Sequence, residues 1–384
     1  MNAKIYTKKK PLVAALSVAL MAISQAGYAE KIPATINDGA EHQLSLHGMP
    51  LSWDVSINNG TLHSSNLRND TTVTASGADA VSRDNNYWNT SLTLENGANS
   101  IRDLFHGTGS QTVKSGSAAQ GVFREDSFQH ISGQNSLSLQ AKFHDNASQK
   151  VSNQASSSNA FFYENSSQFL TSGGLSYNDT FIGTSTQTLN SGDVNAPALS
   201  QGSQFSENSG QFIGLNSRSE NAQFTDNAKQ IVAGASSISS GSIFTGTSAQ
   251  TVHNGGSATG TTFSGNASQV LEDGAKSENT TFNGNASGIV GANAQMLGNT
   301  TLNGSSLLNV IASKSALEAV GSNDVPVSVE NVTINNDAMM LLAPTGHEAH
   351  MVGVKNITMN GGTIAFGHDK GAGYTALLTE QVGG

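Results

Sequence analysis

Glu125 and Asp145 stand 20 residues apart, Glu207 and Asp226 stand 19 apart, and each lies two places after a phenylalanine. If the chain returns to the same corner at that interval, each pair brings two carboxyl groups together. A separation of roughly 5 Å is what a retaining glycosidase needs, with one carboxylate as nucleophile and the other as acid. The same oxygens would suit a calcium ion, which takes carboxylate and carbonyl ligands. However, the equivalent position is glycine at Gly107, Gly183, Gly246, Gly265 and Gly284. A site that alternates between acid and glycine marks a turn, so a solvated corner is the expected role. His347-Glu348-Ala349-His350 resembles a zinc-protease motif with one residue too few between its histidines, in a stretch without a helical pattern. Leu342-Ala343-Pro344-Thr345-Gly346 departs from a sortase signal at its second position and has no apolar span after it. The ten histidines recur at no fixed interval, and the absence of cysteine excludes thiol nucleophiles, thiolate metal sites and a disulfide framework. No catalytic, metal or cofactor-binding residue is expected.

The elements that hold these residues follow from a repeat. A motif of Phe, any residue, Gly/Asp/Glu, Asn/Thr/Asp, a small residue, any residue, Gln, any residue and an aliphatic residue begins at Phe105, Phe123, Phe143, Phe162, Phe181, Phe205, Phe224, Phe244 and Phe263. FNGNASGIV at Phe282 lacks the Gln, and LNGSSLLNV at Leu302 lacks the Phe as well. Successive starts lie 18, 20, 19, 19, 24, 19, 20, 19, 19 and 20 residues apart, the long step reflecting an insertion within Gly192–Gln204. A unit this short holds no core of its own and must stack on its neighbours. Its local period is 2, which means strands. The residue between the Gln and the aliphatic position is Thr112, His130, Lys150, Phe169, Phe212 or Ile231 in different copies, and a site that accepts lysine as readily as isoleucine faces solvent. By alternation the Gln, the aliphatic residue and the Phe face inward.

These features predict an all-β, parallel, right-handed β-helix with coils of about 19 residues. Turns such as Asn254-Gly255-Gly256 separate the strands, and Thr261 with Phe263 opens a second inward-facing strand. Leucine-rich repeats share the period, but their Leu-x-x-Leu-x-Leu signature is absent. A buried amide column would be costly unless each amide bonds to the one above and below. That ladder is expected for Gln111, Gln129, Gln149, Gln168, Gln187, Gln211, Gln230, Gln250 and Gln269. It is also expected for the corner residues Asn146, Asn165, Asn208, Asn227, Asn266 and Asn285.

Composition agrees with this architecture. The 384 residues include 52 Ser, 38 Asn and 41 Gly, with only 12% charged residues, which suits short strands joined by many turns. Residues 1–29 have the order of a signal peptide: Lys4, Lys8, Lys9 and Lys10, then an apolar run from Pro11 to Ile23, then Gly27-Tyr28-Ala29 before Glu30. N-terminal sequencing of the exported protein should begin at Glu30. The remaining chain carries 14 basic and 28 acidic residues, a net charge of −14 without a basic patch in its sequence, and is a poor candidate for nucleic acid.

The stacked units, above all FTGTSAQTVHNGGSATGTTFSGNASQVLEDGAKSENTTF from Phe244 to Phe282, resemble the passenger repeats of AIDA-type autotransporter adhesins, the group that includes antigen 43. The likeness is specific over 105–311 and looser over 30–104 and 312–384, where further coils or a cap are expected; segments Val325–Ile334 and Ile357–Phe366 alternate like strands. The resemblance implies a passenger exposed outside a Gram-negative cell, acting without catalysis in adhesion to host or abiotic surfaces or in self-association between neighbouring cells. It also implies that Ser and Thr side chains can carry O-linked heptose. Display needs an outer-membrane barrel of roughly 250–300 residues. After Val310 there are 74 residues, with Phe366 and Tyr374 the only aromatics. The barrel is therefore expected to be encoded separately, or the sequence is a passenger portion or a truncated frame. Made alone, the product is expected to remain periplasmic, where surface labelling of intact cells would miss it. A secreted carbohydrate-active β-helix enzyme and an inactive exported remnant are the alternative readings.

Overall fold

The computed structural model describes residues 5–6, 32–44, 53–68, 71–291, 293–312, 327–344, 353–366 and 377–378. The His347–His350 motif and most of the expected signal segment lie outside them. Every regular element among the described residues is a β-strand. The chain forms two compact units: one comprises Met1–Thr180 with Thr184–Thr186, the other Phe181–Gly183 with Gln187–Gly384.

In the first unit a coil consists of three short strands. Ser110–Val113, Ser117–Ala119 and Val122–Phe123 form one coil, and each pairs in parallel with its counterpart a coil later. Register is strict: Gln111 lies opposite Gln129, Val113 opposite Ile131 and Phe123 opposite Phe143. The second unit repeats the plan, with Lys229–Ala233 on Ala249–His253, Ile238–Ser240 on Ser257–Thr259 and Ile243–Phe244 on Thr262–Phe263. The fold is thus the expected parallel β-solenoid. It has three strands per coil, because the small Ser/Ala segments also run extended. Toward its C-terminus the second unit merges two of the three strands, giving Gln295–Leu302 stacked on Ser328–Asn335 and then Gly353–Asn360.

Turns between strands use left-handed backbone. In the Asn254-Gly255 turn both residues have positive φ, 52° and 78°, which asparagine and glycine adopt at little cost.

Inward positions are filled as the period-2 pattern requires. In the first unit the rings of Tyr87, Phe105, Phe123, Phe143 and Phe162 stack in sequence with centroids 4.6–4.8 Å apart. In the second, Phe181, Phe205, Phe224, Phe244, Phe263 and Phe282 do the same at 4.5–5.1 Å. Phe224 lies between Phe205 and Phe244, as expected, and is fully buried.

The glutamine ladder is present in both units. Gln129, Gln149 and Gln168 each donate from Nε2 to Oε1 of the preceding Gln, at 2.6–2.7 Å. In the second unit Gln211, Gln230, Gln250 and Gln269 do so at 2.7–2.8 Å. The ladder ends where the repeat loses its Gln. Gly288 stands opposite Gln269, and Gln269 Oε1 has no hydrogen-bond partner among the described residues. A Cβ on Gly288 would come within 2.7 Å of the Phe282 ring and 2.9 Å of Leu308, so the space for a side chain is already taken.

The corner asparagines do not form the same kind of ladder. They are exposed; Asn227 reaches Asn208 and Asn285 reaches Asn266 only at 3.4–3.5 Å, while Asn146 donates to Asp126. Solvated amides satisfied by water have no need of stacked partners. A tighter asparagine ladder occurs elsewhere, with Asn303 donating to Asn283, Asn335 to Asn303 and Asn360 to Asn335, each at 2.9 Å.

Two substitutions separate the faces. Gln230 donates to Gln211 and accepts from Gln250 and Ser239. Gln230→Leu leaves those groups buried and unpaired, and should cost about 2–4 kcal/mol of stability in denaturant titration. Lys150 is exposed and makes no ion pair among the described residues. Lys150→Glu should stay within about 0.5 kcal/mol of the parent.

Candidate functional surface

The acidic corner comes from the first turn after each buried phenylalanine. Glu125, Asp145, Glu207 and Asp226 are exposed and have left-handed backbone, with φ of 60°, 60°, 59° and 54°. Glu164, which sequence reasoning passed over, shares this position, with φ of 52°. The left-handed geometry explains why glycine alternates with acids here. It also brings the carboxylates of Glu125, Asp145, Glu164 and Asp226 back onto a neighbouring coil. Glu125 accepts from the Gly107 N–H at 2.7 Å, Asp145 from the Glu125 N–H at 3.1 Å and Glu164 from the Asp145 N–H at 3.3 Å. Asp226 accepts from the Glu207 N–H at 3.2 Å. Glu125, Asp145, Glu164 and Asp226 therefore cap backbone donors of the corner. No group of three or more His, Cys, Asp or Glu side chains is placed to hold a metal ion among the described residues.

Two carboxylates that sequence reasoning missed are fully buried. Asp103 accepts from the Ser82 and Ser100 hydroxyls at 2.6 and 2.7 Å, and from the backbone and side chain of Asn85 at 2.9 and 3.2 Å. The network continues through Tyr87 to Ser82 and through Gln111 to Ser100. Burial pushes the Asp103 carboxyl up to about 6, against the pull of these donors. Asp179 accepts from the Ala160 N–H, Gln168 and Ser176 at 2.7–2.8 Å, and burial raises it too. The only sequence signal for either is a serine three positions earlier.

The outward residue just after buried Leu67 or the buried aromatic of later coils forms a distinctive column in the first unit: Arg68, Trp88, His106, Arg124, His144 and Tyr163. The Trp88 and His106 rings stack at 4.1 Å and 10°, those of His144 and Tyr163 at 4.7 Å and 10°, and Arg68 lies 5.5 Å over Trp88. Lys142 and Phe161 are in the adjoining outward column. In the second unit the same position is Ile182, Ser206, Thr225, Thr245, Ser264 and Asn283.

A further outward feature is apolar. The residue after the ladder glutamine is Phe212, Ile231, Thr251, Val270 and Ile289 in successive coils of the second unit. Phe212, Ile231 and Ile289 are exposed.

No family model and no curated protein matches the sequence. Among solved structures, the TibC-catalysed, hyper-glycosylated TibA55-350 fragment resembles this chain with a TM-score of 0.56 and 15% sequence identity, over 83% of this chain and 99% of the fragment. At that identity the likeness is one of fold, a parallel β-solenoid in both. The Streptococcus pneumoniae surface protein and adhesin PfbA aligns over 82% of this chain and 91% of its own at 8% identity, but its TM-score of 0.16 establishes no common fold.

Proposed function

We propose that this chain is the passenger of an AIDA-type autotransporter adhesin, exported across the inner membrane after loss of residues 1–29 and acting at the cell surface through its outward solenoid positions. In this reading it promotes self-association between neighbouring cells or attachment to host and abiotic surfaces, and it catalyses nothing. Residues 30–104 and 312–384 serve as flanking coils around the repeat at 105–311, and exposed Ser and Thr are available for O-glycosylation. The observation that carries the reading is the division of labour along each coil. Inward positions repeat the same residue types, while outward positions expose groups that include Phe212, Ile231 and Ile289. Apolar side chains recurring on one exposed sheet face are a feature of contact surfaces.

The test is cell settling with the chain displayed on an outer-membrane barrel. Cells carrying it should clump, and Phe212→Asp with Ile231→Asp should slow settling several-fold while circular dichroism stays that of the parent. Unchanged settling in that double variant, or no clumping by the parent, would sink the self-association reading.

A further inference from the structure

The outward column of the first unit brings together cations that are far apart in the sequence. Arg68, Arg124 and Lys142 are exposed and make no ion pair among the described residues. Of the unit's other cations, Arg83, Arg102 and Lys114 are paired, to Glu41, Asp84 and Glu95 at 2.7–3.0 Å, while Lys150 stands unpaired among the described residues in a different outward column. Among the acids nearest the column, Glu164 lies 3.6 Å from His144 Nδ1, and none pairs with Arg68, Arg124 or Lys142 among the described residues. Glu125, Asp145 and Glu164 turn their carboxylates onto backbone N–H groups of the corner, as described above. Arg68, Arg124 and Lys142 are thus left without a carboxylate partner among the described residues, although the chain as a whole is acidic.

The rings decide which kind of ligand fits. Trp88 stacks on His106 and His144 on Tyr163, so each of these half-buried rings has one face covered by its neighbour, and Arg68 lies over Trp88. A face covered in this way is unavailable for stacking on sugar rings or nucleobases, which is how aromatic platforms usually hold such ligands. What the edges offer is donors: the indole N–H, imidazole nitrogens, guanidinium N–H groups and the phenol O–H, with the Lys142 ammonium beside them. They recur at the coil spacing of about 4.8 Å, close to the length of one sugar in an extended chain.

We propose that the column from Arg68 to Tyr163, with Lys142, is a binding strip for a linear acidic polysaccharide whose carboxylates are read by Arg68 and, three and four coils further on, by Arg124 and Lys142. The site deepens the adhesin reading by giving it a ligand class, and it lies in the first unit, apart from the apolar residues tested by cell settling.

The purified full chain, titrated with a fluorescent oligogalacturonate long enough to cover the six coils, should bind it with an affinity that falls steeply with salt. A neutral cello-oligosaccharide of equal length should not bind. Arg124→Gln with Lys142→Gln should raise Kd at least about tenfold, since charge-assisted bonds to the ligand are lost. Lys229→Gln, which alters an unpaired exposed lysine of the second unit, should leave Kd unchanged. In the unaltered chain, the oligogalacturonate should shield Lys142 from acetylation and leave Lys229 reactive, a readout independent of how the double variant folds. Equal binding of the neutral sugar, an unchanged Kd in the double variant, or no shielding of Lys142 would overturn the proposal. So would tighter binding of single-stranded DNA of equal charge. Oligogalacturonate binding by a chain that fails to clump cells would leave the strip standing and remove self-association; clumping without binding would do the reverse.

Discussion

Phe224→Asp should unfold a local block of the second unit. The side chain is fully buried, with Phe205 stacked at 4.7 Å on one side and Phe244 at 4.5 Å on the other. Truncating a buried phenylalanine costs about 3–5 kcal/mol in lost transfer and cavity energy. The aspartate adds the cost of a carboxylate among phenyl rings with no donor facing it. A solenoid coil contacts only its neighbours, so the damage should propagate over one or two coils before the ladders re-establish. Limited proteolysis with mass readout should show new cuts between residues 205 and 244, while peptides from 87–162 persist as in the parent. Lys150→Glu digested in parallel should give the parental pattern. Equal resistance of both variants would mean that the inward and outward faces have been exchanged.

The parts of the fold that were legible in the sequence are those that repeat. Phe, Gln and the aliphatic residue recur because parallel stacking puts each on its own copy, where identical side chains form stacks and amide chains; Lys150 and Phe169 occupy one position because nothing packs against it. The third strand of each coil was harder to see, since segments such as Ser156–Ser158 have no apolar residue to reveal alternation. Asp103 and Asp179 were missed for a related reason. Each occurs once where other coils have Gly121, Ala141, Ala160 or Ala222, so no period announces them, and only the hydroxyls and amides gathered around them explain their burial. The cationic strip was hidden differently. Arg68, Arg124 and Lys142 form no cluster along the chain, and a search for basic runs passes over them. The coil spacing alone aligns them.

Acidification from neutral pH toward about pH 4 should strengthen the folded state through Asp103. Its carboxyl is raised from 3.8 to about 6 on folding. Between those values the folded chain holds a proton that the unfolded chain has released, so stability must fall as pH rises through the window. Roughly two pKa units correspond to about 3 kcal/mol, present as a penalty above pH 6 and relieved near pH 4. Asp179 is raised as well and acts in the same direction. His106, His130 and His144 oppose it: burial lowers each from 6.5, so the unfolded chain takes their protons first and stability falls as pH drops. Asp38, Asp84 and Glu330 are held low by their partners and lose their contribution as pH falls below their ordinary values, 3.8 for the aspartates and 4.5 for Glu330, so they weigh only at the acid edge of the window. The difference between the parent and Asp103→Asn therefore isolates the Asp103 contribution. The amide can keep the Asn85 N–H bond while the Ser82 and Ser100 hydroxyls reverse to accept. Chemical denaturation across pH 4–7 should show the variant gaining on the parent as pH rises, with the change spread between about pH 4 and 6 and levelling off above. A parallel pair of curves would mean that Asp103 has the same proton affinity folded as unfolded, and that its hydroxyl and amide donors fully replace the water it gave up.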